Sequence, residues 1–338
     1  MMVAPTSPTE GMTKICIVGA GAIGGFLGSR LAASGRCEVS ALARGATLQA
    51  LRSQGWRLRS GGALLQAPAH AESDPAMVGV QDVVIIAVKG PALTDVAAQL
   101  PPLLGPQTVV VPAMNGVPWW FCSGQPGFGT TLSSVDPAGH IAATIAPSQV
   151  VGCVVHASAS TSEPGVVDHR MGQGVILGEP QGGLSDRVVH LVTLLKAAGF
   201  DATASDNIRY DIWYKLWGNM TMNPVSALTG ATADRILSDP LVRAFCSAAM
   251  SEAQAIGARI GCPIAQSPEE RHAITAKLGA FKTSMLQDVE AGRAIELDAI
   301  VGAVREIGQR LGVATPNVDA LLGLTRLMGQ VRGLYPRA

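Results

Sequence analysis

Hydrophobic positions in the first half of the chain fall in short bursts without alternation, separated by longer stretches of mixed polarity. Asp82 to Val88 and Gln107 to Val111 are largely apolar on consecutive positions, the pattern of strands covered on both faces. Lys14 to Val18 and Glu38 to Leu42 are further β-prone runs. Ala20 to Ala33, between them, is rich in small and apolar residues and predicts a helix. Strands separated by helical stretches imply a parallel sheet with crossover helices. From Val150 the texture changes. Val150 to His156, Gly165 to Arg170 and Gln173 to Leu177 predict β segments joined by Gly/Pro turns, an antiparallel extension of the sheet. An amphipathic helix from Leu184 to Ala198 follows and stops at Gly199.

Beyond Ser205 no convincing strand pattern remains. Asp206 to Met222, Pro240 to Ile260, Pro268 to Ala291, Leu297 to Leu311 and Asn317 to Val331 all predict helices. The expected organisation is a flexible leader over residues 1–12, an α/β domain over 13–205 and an all-helical domain over 206–338. Domains usually take roughly 100–200 residues each, so a chain of 338 agrees with two.

Composition removes several classes. Apolar residues make up 48% and charged residues 15%, which excludes an ordinary disordered chain. Lys plus Arg and Asp plus Glu both number 25, so no charge excess points to nucleic acid or to an anionic membrane. The longest apolar runs fall far short of the roughly 20 residues that span a bilayer. The six cysteines (Cys16, Cys37, Cys122, Cys153, Cys246, Cys262) show no paired spacing and no clustered His. They read as reduced thiols of a cytoplasmic protein, neither a disulfide frame nor a metal site.

The first candidate chemistry lies at Gly19-Ala20-Gly21-Ala22-Ile23-Gly24, directly after a predicted strand and opening a predicted helix. Gly19 permits a tight turn, Gly21 removes a Cβ so that backbone can approach a pyrophosphate, and Gly24 lets the helix lie close to the sheet. The helix N-terminus then offers free N–H groups to the anion. This makes the first domain a Rossmann-like dinucleotide-binding domain. At the end of the second strand, where an NAD site usually carries Asp or Glu, the chain has Ala43-Arg44-Gly45. A guanidinium there can bind a 2′-phosphate that a carboxylate would repel, which favours NADPH/NADP over NAD; the alternative is a solvated surface Arg. Lys89 follows the strand Asp82 to Val88 and could add a second charge near the phosphate or be an ordinary surface lysine. Asn115-Gly116 sits at the same sheet edge, suited to position nicotinamide or substrate, or equally to make a turn.

A second stretch is Tyr210 to Pro224. Lys215, Asn219 and Asn223 are spaced by four, each step about 40° beyond a full circle, so they share one slowly drifting helix face. Trp213, Leu216, Trp217 and Met220 surround that stripe, and Pro224 should end or kink the helix. A carbonyl receiving a hydride needs a proton donor. A Lys in a partly desolvated cleft can be one, with the Asn amides holding substrate. The bland alternative is an interface helix with a snorkelling Lys. A third stretch sets Ser284 and Asp288 one helical turn apart, with Gly292 breaking the helix and Glu296 at or near the start of the next. A Ser hydroxyl and a carboxylate there could complete a substrate pocket, or the helix dipole alone could account for Glu296.

Taken in order, the glycine turn, Val88-Lys89, Asn115-Gly116, Lys215 with Asn219 and Asn223-Pro224, Ser284 to Asp288, Glu296 and the closing Gly312 to Asn317 resemble the ketopantoate reductase (2-dehydropantoate 2-reductase) family over nearly the whole chain. The resemblance implies NADPH-dependent reduction of 2-dehydropantoate to (R)-pantoate. It implies Lys215 as general acid and Glu296 holding and polarising the substrate hydroxyl region. Asn115, Asn219, Asn223 and Ser284 would bind substrate or cofactor, Arg44 and Lys89 the adenosine 2′-phosphate, and the helical domain would support a homodimer. Another 2-oxo acid or an imine remains an alternative substrate, and a non-catalytic NADP(H) sensor an alternative class. The chain departs from shorter members at Val117-Pro118-Trp119-Trp120-Phe121 and the Gly/Pro-rich stretch to Gly139. Two adjacent Trp there could reshape or cap the pocket, or simply plug a longer loop.

Overall fold

The computed structural model describes residues 11–129 and 131–336, so most of the expected leader over residues 1–12 lies outside the described residues. Strands β1 (Thr13–Val18), β2 (Cys37–Leu42), β3 (Trp56–Ser60), β4 (Ala63–Ala67), β5 (His70–Glu72), β6 (Val83–Ile86), β7 (Val109–Pro112), β8 (Gly152–Glu163), β9 (Val166–Gly178) and β10 (Asp201–Ser205) form two sheets. The first has the order β5-β2-β1-β6-β7, with every pairing parallel. Its strands read as continuous apolar runs because both faces are covered. Ile15 and Ile17 pack into one core cluster, Cys16 and Val18 into another. All four residues of β6 are buried, each aliphatic side chain contributing about 1.5–3 kcal/mol.

β8 and β9 do not extend that sheet, as the pattern had suggested. They form a long antiparallel hairpin in a second sheet of order β10-β9-β3-β4, with β8 on the other side of β9. Among the described residues an isolated bridge, Val110 to Val150 just before β8, is the β pairing that joins this part of the chain to the first sheet. The packed interior explains this. Leu58, Val167, Val175 and Leu177 of the second sheet bury against Phe26, Leu27 and Leu31 of the Ala22–Ser34 helix, so that helix is sandwiched between two sheets. β9 also runs unbroken through the gap expected between Arg170 and Gln173.

From Ile208 onward the described chain is helical. Of the two outcomes expected at Pro224, an end or a kink, the Ile208–Thr229 helix does not show the end: it runs on through Pro224. Val225, Ser226 and Ala227 beyond it are buried, so tertiary packing outweighs the missing backbone hydrogen bond. The single helix expected over Pro268 to Ala291 is two, Pro268–Ala276 and Ser284–Glu290. Gly279 at φ +61 turns the chain between them, and Thr283 caps the second through its hydroxyl. One core cluster runs from Val84 and Ile86 through Trp119, Trp120 and Phe121 to Trp213 and Val304. It joins the open face of the first sheet to the helical part. No described helix is long and apolar enough to cross a membrane, and the six cysteines are free and buried.

Candidate active site

The glycine turn connects β1 to the Ala22–Ser34 helix. Gly19 has φ +93, and a Cβ on it would come within 2.6 Å of Val88. A Cβ on Gly24 would lie 2.0 Å from the Gly19 carbonyl oxygen, whereas one on Gly21 would meet nothing within 4 Å. Two glycines therefore shape the turn, and the third leaves open space before a helix N-terminus that no side chain caps. A groove runs from this turn along Leu42, Ala43, Arg44 and Thr47 to Val88 and Gln99. No carboxylate lines it. Arg44 is exposed there and makes no ion pair among the described residues. An uncapped helix start, bare backbone and a free guanidinium fit the pyrophosphate and phosphate of a dinucleotide.

Across the cleft, the Ile208–Thr229 helix presents Lys215. Its Nζ donates to Asn115 Oδ1 at 2.8 Å and to the Val155 carbonyl at 2.7 Å. An ammonium has three N–H donors, so one is left without an acceptor among the described residues. Burial pulls the Lys215 pKa down from 10.5 to about 8, an effect that Cys153 and Glu296 partly oppose. Asn115, Gly116, Cys153, Lys215 and Asn219 wall one small cavity. Burial also pushes the Cys153 thiol up to about 12, so it is a neutral wall and no nucleophile.

Glu296 immediately precedes the helical segment that starts at Leu297. Its Oε1 accepts the Gly90 backbone N–H at 2.9 Å, which ties the helical part to the turn after β6. Burial raises its pKa above the ordinary carboxylate value, against the pull of the Gly90 N–H, Lys89 and Lys215. A second tie is the backbone bond from Val117 N–H to the Ala299 carbonyl, 2.8 Å. Gly116 makes that approach possible: it has φ +85, and a Cβ on it would lie 2.6 Å from the same oxygen.

Lys89 pairs with Asp288 and takes no part in the groove beside the glycine turn. The Asp288 side chain is only 3% exposed, and a buried carboxylate needs cationic partners; Lys89 and Arg293, 3.0 Å away, supply them. Ser284 is exposed, and its neighbour Thr283 makes the inward contact, to Ser226 at 2.5 Å. Asn223 is buried one turn beyond Asn219 and does not wall the Lys215 cavity. Thus Lys215, Asn115 and Asn219 come together with Glu296 nearby, while Ser284 and Asn223 lie outside that set.

Two residues near the site carried no sequence signal. His156 follows Val155 on β8, and burial, Lys215 and Arg271 together lower its pKa to about 4. Arg271 lies over the Tyr214 ring at 4.7 Å. A Cβ on Gly218 would come within 2.8 Å of its Nε, so the missing side chain at Gly218 makes room for the guanidinium. Both are isolated in the chain, and only the fold brings them to Lys215.

A parallel five-stranded sheet with a glycine turn, faced by a half-buried lysine and carboxylate from a helical second part, defines a dinucleotide-dependent oxidoreductase. The profile of ketopantoate reductase PanE/ApbA matches residues 15–182, and that of its C-terminal part matches residues 207–329. The chain belongs to the ketopantoate reductase family. It is 44% identical over 324 residues to a 2-dehydropantoate 2-reductase of Mesorhizobium japonicum, covering 95% of this chain and 99% of that one. It superposes with TM-score 0.92 on a candidate ketopantoate reductase from Ralstonia solanacearum MolK2, at 58% identity, covering 96% of this chain and all of that one. The 2-dehydropantoate 2-reductase from Methylococcus capsulatus gives TM-score 0.80 at 29% identity, covering 94% of this chain and 97% of that one.

Proposed function

We propose that the protein reduces 2-dehydropantoate to (R)-pantoate with NADPH, Lys215 acting as the general acid. The arrangement of Lys215 carries this reading: two of its N–H donors are fixed by Asn115 and Val155, the third is free, and its pKa of about 8 lies near neutral pH. NADPH, when bound, supplies the hydride that reaches the ketone carbon. Lys215 donates the free N–H to the ketone oxygen and passes its proton there as charge develops; the neutral amine then recovers a proton from solvent. Asn115 spends its Oδ1 on Lys215 and keeps its amide N–H groups for the substrate, beside Asn219. Among the described residues Glu296 Oε2 takes no hydrogen bond, so it is available to accept the substrate hydroxyl.

Arg44 is the group assigned to the adenosine 2′-phosphate, with the glycine turn on the pyrophosphate and Lys89 in a structural pair. The same reading includes a cytoplasmic enzyme that works as a homodimer. Initial rates with 2-dehydropantoate test it. NADPH oxidation should be rapid and NADH oxidation slow; absence of turnover with both cofactors sinks the proposal.

A further inference from the structure

Glu296 stands on weak footing. Residues 293–296 carry no regular secondary structure, so no ladder of backbone bonds fixes them. Glu296 also lines a cavity of about 480 Å³, which leaves its side chain room to move. Oε1 takes the Gly90 N–H, but one bond at the tip of a long side chain fixes an atom and leaves the backbone loose. The backbone is set from elsewhere, by the segment after the last helix.

The Pro316–Arg332 helix stops at Gly333, φ +69, and the chain folds back on it. The N–H groups of Leu334 and Tyr335 both donate to the Gly329 carbonyl, at 2.7 and 3.2 Å. Gly329 makes the return possible: a Cβ there would lie 2.7 Å from Tyr335 Cβ and 3.1 Å from Ile295 Cδ1. Leu334 is buried and joins Ile295 and Leu297 in the main core cluster.

The returning tail then grips the Glu296 segment on both sides. The Leu334 carbonyl accepts the Ile295 N–H at 3.0 Å, one residue before the carboxylate. Tyr335 Oη donates to Asp298 Oδ1 at 2.6 Å, two residues after it. Among the described residues, Leu334 is the one main-chain acceptor for the N–H groups of Ala294, Ile295 and Glu296. Asp298 opens a widened π-type turn, Asp298–Gly302, of a kind frequent at functional sites. Burial and the Asp298 carboxylate raise the Tyr335 pKa, so the phenol keeps its proton and remains the donor.

We propose that the Leu334–Tyr335 tail is a positioning device for the active site, setting through Ile295 and Asp298 where the Glu296 carboxylate meets the substrate hydroxyl. Tyr335 is a positioning residue: it supports the group that binds and takes no part in the chemistry. The inference rests on the reductase reading above.

Tyr335→Phe removes the phenol oxygen and little else. KM for 2-dehydropantoate should rise by about two- to tenfold, the worth of one hydrogen bond, with kcat and NADPH affinity close to native. Asp298→Asn keeps an acceptor oxygen and should raise KM less. Coupling to Glu296 separates positioning from general support. Tyr335→Phe should weaken (R)-pantoate binding, by calorimetry with NADP⁺ present, in the native background. In a Glu296→Ala enzyme the same change should move that dissociation constant by less than about twofold, since residues of one network are not additive. Amide hydrogen exchange reads the link without turnover: a peptide containing Ile295 and Glu296 should exchange faster in Tyr335→Phe, and one containing Lys215 at the native rate. Losses that multiply in the double variant, or unchanged exchange at Ile295, overturn the tail assignment and leave the reductase reading standing. A lower Tm with native KM does the same, because the tail would then only brace the fold. Absence of turnover in the native enzyme removes the reductase reading and this inference with it, whatever the exchange shows.

Discussion

The two walls of the cleft are made of different material. The wall on the first sheet is backbone: Gly19, Gly21 and Gly24 act by what they lack, and the groove beside them offers N–H groups and one exposed guanidinium. The facing wall is side chain: Lys215, Asn219 and Glu296 act by what they carry, and burial tunes the ionisable ones. A wall of backbone suits a cofactor whose phosphates are the same in every cycle. A wall of tuned side chains suits a bond whose charge changes during the reaction. The comparison predicts that damage to the second wall shows in the rate of chemistry, and damage to the first in cofactor affinity.

Lys215→Ala puts the greatest load on that distinction. It should lower kcat by about 10²–10⁴-fold, the usual worth of a positioned proton donor, with NADPH affinity by fluorescence titration little changed. In the native enzyme kcat/KM for the oxo acid should fall as pH rises through about 8, where the buried ammonium loses its proton. The limb falls on the alkaline side because burial lowers the value from 10.5 and the acid form is the active one. A variant that kept full turnover, or a flat profile between pH 7 and about 9, would return Lys215 to a structural role.

Arg44→Ala tests the opposite wall. Charge-assisted hydrogen bonds contribute about 1.5–3 kcal/mol, so NADPH affinity should drop by about 10–100-fold while NADH affinity stays where it was. Equal losses for both would mean that the guanidinium contacts something other than the 2′-phosphate. Smaller effects separate the glycines. Gly24→Ala forces a Cβ against the Gly19 carbonyl and should lower stability by about 1–3 kcal/mol, as overpacking does. Gly21→Ala meets open space, so Tm should hold while NADPH binding weakens. If both variants lost stability alike, the open space at Gly21 would have no bearing on the cofactor.

How much of this could be read in the chain follows from the same contrast. The glycine turn was legible because its geometry is local: three glycines at fixed spacing between a strand and a helix leave few other uses. The Lys215 stripe was legible because a helix repeats every four residues, and Glu296 because Gly292 breaks the chain just before it. Pairings across the cleft were not legible. Nothing near Lys89 in sequence announces Asp288, and no local pattern places His156 and Arg271 beside Lys215. The second sheet was missed for the same reason. β3 joins β9 across more than a hundred positions, with β4 attached only through β3, and the short β3 run carries no sign of that partner. A helix end at Pro224 did not follow from local propensity, because the buried residues after it hold the helix on.

Asp288→Asn is the mildest and sharpest trial of the division between walls, because Asp288 belongs to the helical part yet acts on the sheet side. Its buried carboxylate bridges Lys89 and Arg293, whose side chains are 43% and 54% exposed. Ion pairs with such exposed partners contribute about 0–1 kcal/mol, and Asn keeps the shape, so Tm should move little. The effect should appear one step away. Lys89 leads into Gly90, whose N–H fixes Glu296, so releasing Lys89 loosens the carboxylate proposed to hold the substrate hydroxyl. The expected result is a several-fold rise in KM for 2-dehydropantoate with kcat nearly retained, the pattern of lost ground-state binding. A hundredfold fall in kcat at constant Tm would instead place Asp288 among the reacting groups, and the second wall would extend further than Lys215 and Glu296.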